Sequence, residues 1–280
     1  MTTIEDLEIK TLPLRTIVSQ FIELPEPART LDIASRKKDE TRIFKYLHQM
    51  CSIHAANFTR ANQVKLVVLI DGYLQSCKDK NPLGPYLYAR SILELGAFLA
   101  DISRRAVDIY SKPDSCWRLS GEEFFSLIVR ARFASSDTEK ISIFNDLSNS
   151  QSKPINIMSS LKYLAEKNET AFFAKDYERL CDYVHHNLSS QITSSAGIRI
   201  DSNARSALGG MLLTQNSGPI SRYEYPNPTK GELAAKETLS ITEKSMALCI
   251  SSLNSMPHSP YSQSLLIKRT GSAYGAIRLA

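Results

Sequence analysis

The chain has 280 residues, of which 42% are hydrophobic and 22% charged, a composition typical of a folded globular protein and unlike that of a disordered or fibrous one. Its net charge of +5 permits contact with nucleic acid without requiring it. The longest apolar runs, 64–70 and 92–100, are short and contain charges, and the acidic N-terminus lacks the apolar core of a secretory signal, so we expect a soluble cytoplasmic protein with no membrane contact.

The first part of the chain is expected to form an N-terminal arm over residues 1–36, because Pro13, Pro25 and Pro27 interrupt any helix of more than a few turns. A helical domain is expected to follow over residues 37–256. In this domain, apolar residues recur at steps of three and four, which is the spacing of an amphipathic helix. The pattern and its start and stop signals predict helices at about 36–60, 61–77, 86–110, 120–133, 135–149, 154–168, 172–189 and 231–254.

One segment of the domain differs in composition. Residues 190–229 are rich in Ser, Gly and Asn and contain two short β-like pieces, 198–200 and 222–225. We expect an irregular excursion with a small hairpin there. The final segment, 257–280, carries basic residues and no acidic one, which predicts a flexible basic tail able to bind a protein partner. The sequence as a whole therefore predicts an all-α fold with this one excursion.

The five cysteines predict neither a disulfide framework nor a zinc ribbon, because their number is odd, their spacing is wide and no CxxC occurs. Cys181 and His185 have a spacing that could hold a metal, but no second pair follows. His48, Cys51 and His54 meet the same objection. We therefore expect no metal and no cofactor.

The helix predicted at 86–110 carries its charges on one narrow stripe, while the rest of its circumference is apolar. A stripe of this kind can line a cleft, and Arg90 would then meet a carboxylate of another helix, with Glu178 and Asp182 as the candidates. Alternatively, the stripe is a row of ion pairs within the helix, since Arg90 and Glu94 are four residues apart. The sequence leaves both interpretations open. The stripe consists of Arg90, Glu94, Asp101, Arg104, Arg105 and Asp108.

The helix predicted at 172–189 combines an apolar stripe with groups suited to acid–base chemistry. Helical geometry places Glu178 and His185 together on the flank of the stripe, whereas Arg179 and His186 point nearly opposite to it, with Asp182 between the two groups. A histidine beside carboxylates is suited to moving protons, and an arginine is suited to holding a phosphate. The alternative is that His185 is a histidine at the edge of the core and His186 a solvated surface residue.

The segment Tyr88-Ala-Arg90-Ser-Ile-Leu-Glu94, followed after a long helical gap by Tyr177-Glu-Arg-Leu-Cys-Asp-Tyr-Val-His185, resembles a group of bacterial proteins similar to the HEPN superfamily. The hallmark of that superfamily is an arginine and a histidine separated by four to six residues. Five residues separate Arg179 from His185, and six separate it from His186. The sequence departs from the pattern in placing Leu180 after the arginine, where a polar residue is frequent, and a second histidine where the similar bacterial group often has proline.

The resemblance implies a HEPN-like helical bundle that acts as a homodimer and cleaves RNA without a metal, in a defence or toxin–antitoxin system. In that mechanism, His185 or His186 would move protons and Arg179 would stabilise the charged phosphate, with Arg90, Glu94, Glu178 and Asp182 supporting them. The alternative is a non-catalytic helical interaction or regulatory module in such a system. A metal-dependent hydrolase would need a cluster of carboxylates and histidines that the sequence does not supply.

Overall fold

The computed structural model describes residues 3–20, 39–133, 154–166, 171–184, 198–205, 211–215 and 228–270. The described residues confirm the predicted all-α fold, with one small hairpin. Their helices are α1 (Ile4–Ser19), α2 (Glu40–Lys78), α3 (Gly84–Tyr110), a 3-10 turn (Asp114–Cys116), α4 (Trp117–Phe133), α5 (Ile157–Ala165), α6 (Phe172–Val184), α7 (Pro228–Asn254) and α8 (Gln263–Thr270). The helix predicted at 135–149 lies outside the described residues.

The N-terminal segment forms a regular helix where an arm interrupted by prolines was expected. Helix α1 continues for 16 residues with Pro13 inside it. Proline removes one helical hydrogen bond, and this loss is offset by burial, since Leu7 and Leu14 are in the core and the Thr11 hydroxyl donates to the Glu8 carbonyl. The tertiary contacts of this segment thus outweigh its local propensity.

Helix α2 is continuous where the sequence analysis predicted two helices that meet near residue 60. It runs for 39 residues from Glu40 to Lys78. No proline lies between these ends, and the one glycine, Gly72, is tolerated inside the helix. The division predicted at Arg60 was wrong because no stop signal stands there. The Arg60 guanidinium instead donates to backbone carbonyls at the end of α1, including that of Ile17 at 2.7 Å.

The predicted hairpin is present within the excursion. Strands β1 (Ile198–Arg205) and β2 (Met211–Gln215) pair antiparallel, with Ile198 opposite Gln215 and an irregularity between Ile200 and Arg205. The β-like piece predicted at 198–200 is part of β1. The piece predicted at 222–225 lies outside the described residues.

Backbone contacts divide the chain into two compact units. The boundaries fall inside helices, so α1, α2, α3, α5 and α7 each contribute residues to both. Unit 1 comprises Met1–Leu12, Val67–Glu94 and Leu164–Met246, and unit 2 comprises Pro13–Leu66, Leu95–Tyr163 and Ala247–Ala280.

Unit 1 contains a buried hydroxyl network that joins two helices. The Tyr73 hydroxyl of α2 lies 3.1 Å from the Thr238 hydroxyl of α7, and both residues are buried. Close backbone approach occurs at the end of α2, where Gly231 lies against the Lys80 backbone and leaves no room for a Cβ. Lys80 itself has a φ of 51°, in the left-handed region. These features tie the start of α7 to the end of α2.

Unit 2 has an aromatic core that includes part of the segment predicted as a flexible tail. Phe44 packs against Trp117 and Tyr261, with ring centroids 5.4 and 4.5 Å apart. Leu265 and Leu266 of α8 are buried in the same cluster. Gln263–Thr270 of the predicted tail is therefore a packed helix, and residues 271–280 lie outside the described residues.

Candidate active site

The helix that carries the predicted site, α6, is amphipathic. Phe173, Tyr177 and Leu180 recur at steps of four and three and are buried, which fixes the face that α6 turns to the core of unit 1. The polar residues between them are placed on the flanks and the outer face. Contacts to α3 and α7 then determine what each of these polar groups can do.

Arg90 of α3 connects the predicted stripe with α6. Its Nε donates to Glu94 Oε1 at 2.9 Å, and its Nη2 donates to the Tyr177 hydroxyl at 3.2 Å. The guanidinium also lies over the Tyr177 ring, 5.3 Å from the centroid. Burial by itself would lower the pKa of Arg90, but the Tyr177 hydroxyl and Glu94 raise it, so the side chain remains a cation. Glu94, a carboxylate on the same helix, is thus a partner of Arg90, as the ion-pair interpretation required.

A second contact joins the three helices one turn earlier in α3. The Tyr86 hydroxyl donates to Glu237 Oε2 of α7 at 2.6 Å. The Tyr86 ring is stacked on Tyr183 of α6, with centroids 3.9 Å apart and planes inclined by 3°. Burial, together with the Glu237 carboxylate, raises the pKa of Tyr86, so the phenol keeps its proton. The end of α6 therefore stacks on a tyrosine of α3 that is itself hydrogen-bonded to α7.

Arg179 lies on the outer face of α6 with its side chain 50% exposed. Its Nη2 is 3.5 Å from Asp176 and donates to the backbone carbonyl of Glu237 at 3.4 Å. Both contacts are long, and the guanidinium has five N–H donors, so the side chain can still bind a phosphate. Of the sequence-predicted catalytic residues, Arg179 is the one that the structure describes.

The remaining predicted residues divide into two groups. Glu178 and Asp182 are exposed on α6. His185 and His186 lie outside the described residues, and they follow directly in sequence after Val184, where the described part of α6 ends. The structure thus places the arginine of the motif and leaves the position of both histidines as a prediction.

Four residues of this site were missed by the sequence analysis: Tyr86, Tyr177, Tyr183 and Glu237. Tyr177 is buried on the apolar face of α6, and its hydroxyl also reaches Arg90. Tyr86 and Arg90 are four residues apart, and this spacing on α3 is the signal that could have suggested that both face the same neighbouring helix. No local pattern identifies Glu237, because it lies in a distant helix.

In the rest of the charged stripe, which belongs to unit 2, the charged side chains form ion pairs with one another. Asp101 is buried and accepts hydrogen bonds from both Arg104 and Arg105, the latter through two nitrogens at 3.0 and 2.8 Å. Arg104 also pairs with Asp108. Here too the structure agrees with the interpretation of the stripe as ion pairs within one helix.

The second set considered as metal ligands, which is His48, Cys51 and His54, has other partners within unit 2, and His185 of the first set lies outside the described residues. His48 Nδ1 is 2.9 Å from the Ser259 hydroxyl, and the Cys51 thiol donates to the Gly121 carbonyl. His54 Nδ1 lies 2.7 Å from an Arg132 nitrogen, which makes it the acceptor. Among the residues that the structure describes, no three potential ligands come together as a metal site.

No described helix combines the length and the apolarity that are needed to cross a membrane. Comparison with known proteins finds no match to this chain among family models, curated proteins or solved structures. The HEPN resemblance therefore stays a prediction that rests on the two sequence segments.

Proposed function

We propose that this chain is a HEPN-like ribonuclease that cleaves RNA without a metal. The observation that supports this function best is the exposed Arg179 guanidinium on helix α6, which contacts α3 at two points. Arg90 is hydrogen-bonded to Tyr177, and the ring of Tyr86 is stacked on Tyr183. Helix α6 therefore has a defined orientation in the residues that precede His185 and His186 in the sequence. Phosphate chemistry needs such fixed positions, because misplacement by about 1 Å costs about a hundredfold in rate.

The proposed reaction is attack by an RNA 2′-hydroxyl on the adjacent phosphorus. His185 accepts the hydroxyl proton, a second histidine protonates the departing 5′-oxygen, and Arg179 stabilises the charge on the phosphate. The P–O5′ bond breaks as the new P–O2′ bond forms, which leaves a 2′,3′-cyclic phosphate. The requirement for the 2′-hydroxyl restricts the substrate to RNA. The histidine and arginine sets come from two subunits of a cytoplasmic homodimer, in a defence or toxin–antitoxin setting.

The test is cleavage of single-stranded RNA by purified protein in EDTA, with analysis of the product ends. We expect cyclic phosphate ends and a rate lowered about a hundredfold or more by His185→Ala or Arg179→Ala. Lys175→Ala is the matched control for Arg179, since it removes an exposed positive charge from the same helix. The proposal fails if wild type and both variants cleave equally, or if Lys175→Ala lowers the rate as much as Arg179→Ala.

A second candidate is a non-catalytic helical interaction module. It is favoured by the closed ion pairs of the stripe and by the exposure of two apolar side chains, Ile9 and Leu12, on α1. Arg90 and Asp101 would then have structural roles only. Two observations together would favour this module over the ribonuclease. The purified protein, with its dimeric state verified, would not cleave RNA, and it would co-purify with a stoichiometric protein partner.

A further inference from the structure

An open cleft of about 480 Å³ lies in unit 1 where α2 ends and α3 begins. Its volume is in the range of sites that hold small organic groups. Leu87 and Tyr88 of its wall lie between Tyr86 and Arg90 in the sequence, so the cleft and the candidate active site share the first turns of α3. The wall combines apolar side chains with an aromatic ring and four polar side chains, which are Gln75, Ser76, Asp79 and Asn81.

The position of the aromatic ring is determined by close packing. Tyr88 lies directly over the backbone of Gly72, and a Cβ at that position would overlap the ring. Gly84 approaches the Ser76 side chain in the same way. The cleft therefore has walls in fixed positions, because two glycines allow α2 and the start of α3 to approach each other closely.

The cleft does not suit an anion, although a helix begins there. The Asn81 Oδ1 accepts the N–H groups of Leu83 and Gly84, both at 2.9 Å, and the next residue, Pro85, has no N–H. The charged side chain in the wall is the carboxylate of Asp79. A phosphate would thus meet a negative charge and few available donors, so the occupant is neutral or cationic.

The wall contributes acceptors and a donor from Asp79 and Asn81, which are two residues apart in the chain. One oxygen of Asp79 accepts from Gln75 Nε2 at 2.9 Å, which leaves the second oxygen available. Because the Asn81 oxygen is bound to the backbone, its Nδ2 group remains a donor, and it has no hydrogen-bond partner among the described residues. The occupant should therefore offer donors next to an acceptor on a flat ring that can pack against Tyr88.

Guanine fits this pattern better than adenine, the other purine. Its N1–H and N2–H2 groups donate to a carboxylate, and its neighbouring O6 accepts from an amide. Adenine presents an unprotonated N1 at the corresponding place, which would face the Asp79 carboxylate and repel it. Base–aromatic stacking adds affinity for either purine without distinguishing them.

We propose that this cleft binds a guanine base of single-stranded RNA, with Asp79 and Asn81 reading its edge and Tyr88 packing against its face. The inference rests on the proposed ribonuclease function and gives that function a base preference. Specificity comes from Asp79, because its second oxygen can accept from the guanine N1–H but would face the unprotonated N1 of adenine.

Binding can be tested without cleavage by titrating the full chain with guanosine and with adenosine, neither of which contains a scissile phosphate. The NMR signals of the Asn81 side-chain amide and the Tyr88 ring report occupancy. We expect guanosine to bind at least tenfold more tightly than adenosine. Asp79→Asn should abolish that preference, whereas Asp71→Asn, the same charge change at an exposed site of α2 outside the cleft wall, should retain it. Tyr88→Ala should lower the affinity for both nucleosides.

Equal affinity for the two nucleosides, or a preference unchanged in Asp79→Asn, would overturn the guanine site. So would a short arginine-rich peptide that displaces guanosine at lower concentration, because the cleft would then be a site for a cationic protein segment. The two proposals fail separately. Loss of the guanosine preference alongside His185-dependent cleavage refutes only the cleft, and guanosine binding without any cleavage refutes only the ribonuclease.

Discussion

Two parts of helix α3 carry the same kind of charged stripe but use it differently. In unit 2, the side chain of Asp101 is 1% exposed and is enclosed by Arg104, Arg105 and the Ser160 hydroxyl. In unit 1, Arg90 and Glu94 are 18% and 32% exposed, and Arg90 also contacts a tyrosine of another helix. A carboxylate that is fully buried among arginines has a structural role, whereas a partly exposed cation that touches α6 can also orient a site.

Asp101→Ala is expected to have the largest effect on stability, and it tests whether the two parts of the stripe differ. The substitution leaves two arginines without their anion, and it should lower the free energy of unfolding by about 3 kcal/mol, because breaking a buried pair strands the remaining charge. The value is at the low end for such pairs, since the side chains of Arg104 and Arg105 are 37% and 38% exposed and can turn to water. Urea denaturation followed by circular dichroism measures it. A loss below 1 kcal/mol would show that Asp101 is not a structural centre.

An intermediate effect is expected from acid, and it should be located in unit 2. Burial, with Arg132 nearby, lowers the pKa of His54 from 6.5 to about 4. The unfolded chain therefore binds a proton at this residue that the folded chain does not, so stability is full above the unfolded pKa and is lost as pH falls from about 6.5 towards 4. The loss should be on the order of 2 kcal/mol.

His48 and His258 also have pKa values lowered by burial. Variants must therefore be compared to assign the loss of stability in acid to His54. His54→Gln should reduce the slope of unfolding free energy against pH between 6.5 and 4 relative to wild type. The same substitution at His258 is the control and should leave most of the slope in place. An identical slope in wild type and His54→Gln would contradict the assignment.

The smallest effect on stability is expected from Arg90→Ala. Glu94 remains partly exposed and can be solvated when its partner is removed, so the loss should be about 1 kcal/mol, from the hydrogen bond to Tyr177 and its ring contact. If Arg90 orients α6, RNA cleavage should fall by more than this stability loss explains. Arg104→Ala, in the other part of the stripe, should leave cleavage unchanged at matched folded fraction. Equal cleavage by both variants would assign Arg90 a purely structural role.

The sequence by itself determined the helical class of this protein. Periodic apolar residues predicted α3, α4 and α7 to within a few residues of their ends, and they predicted the start of α6, because burial of one helical face is encoded locally. The same period identified the charged stripe and the exposed side of α6 that carries Arg179. Where a stop signal was assumed without a proline or glycine, as at Arg60, the predicted boundary was wrong.

Only the tertiary structure decided which charges have partners and which terminal segments pack. Pro13 lies inside a helix because Leu7 and Leu14 are buried, and α8 is a helix against Phe44 and Trp117 although its composition suggested a free tail. Glu237 joins Tyr86 across 151 residues of chain. Contacts of this kind depend on side chains that are distant in sequence, and local spacing carries no information about which distant groups will meet.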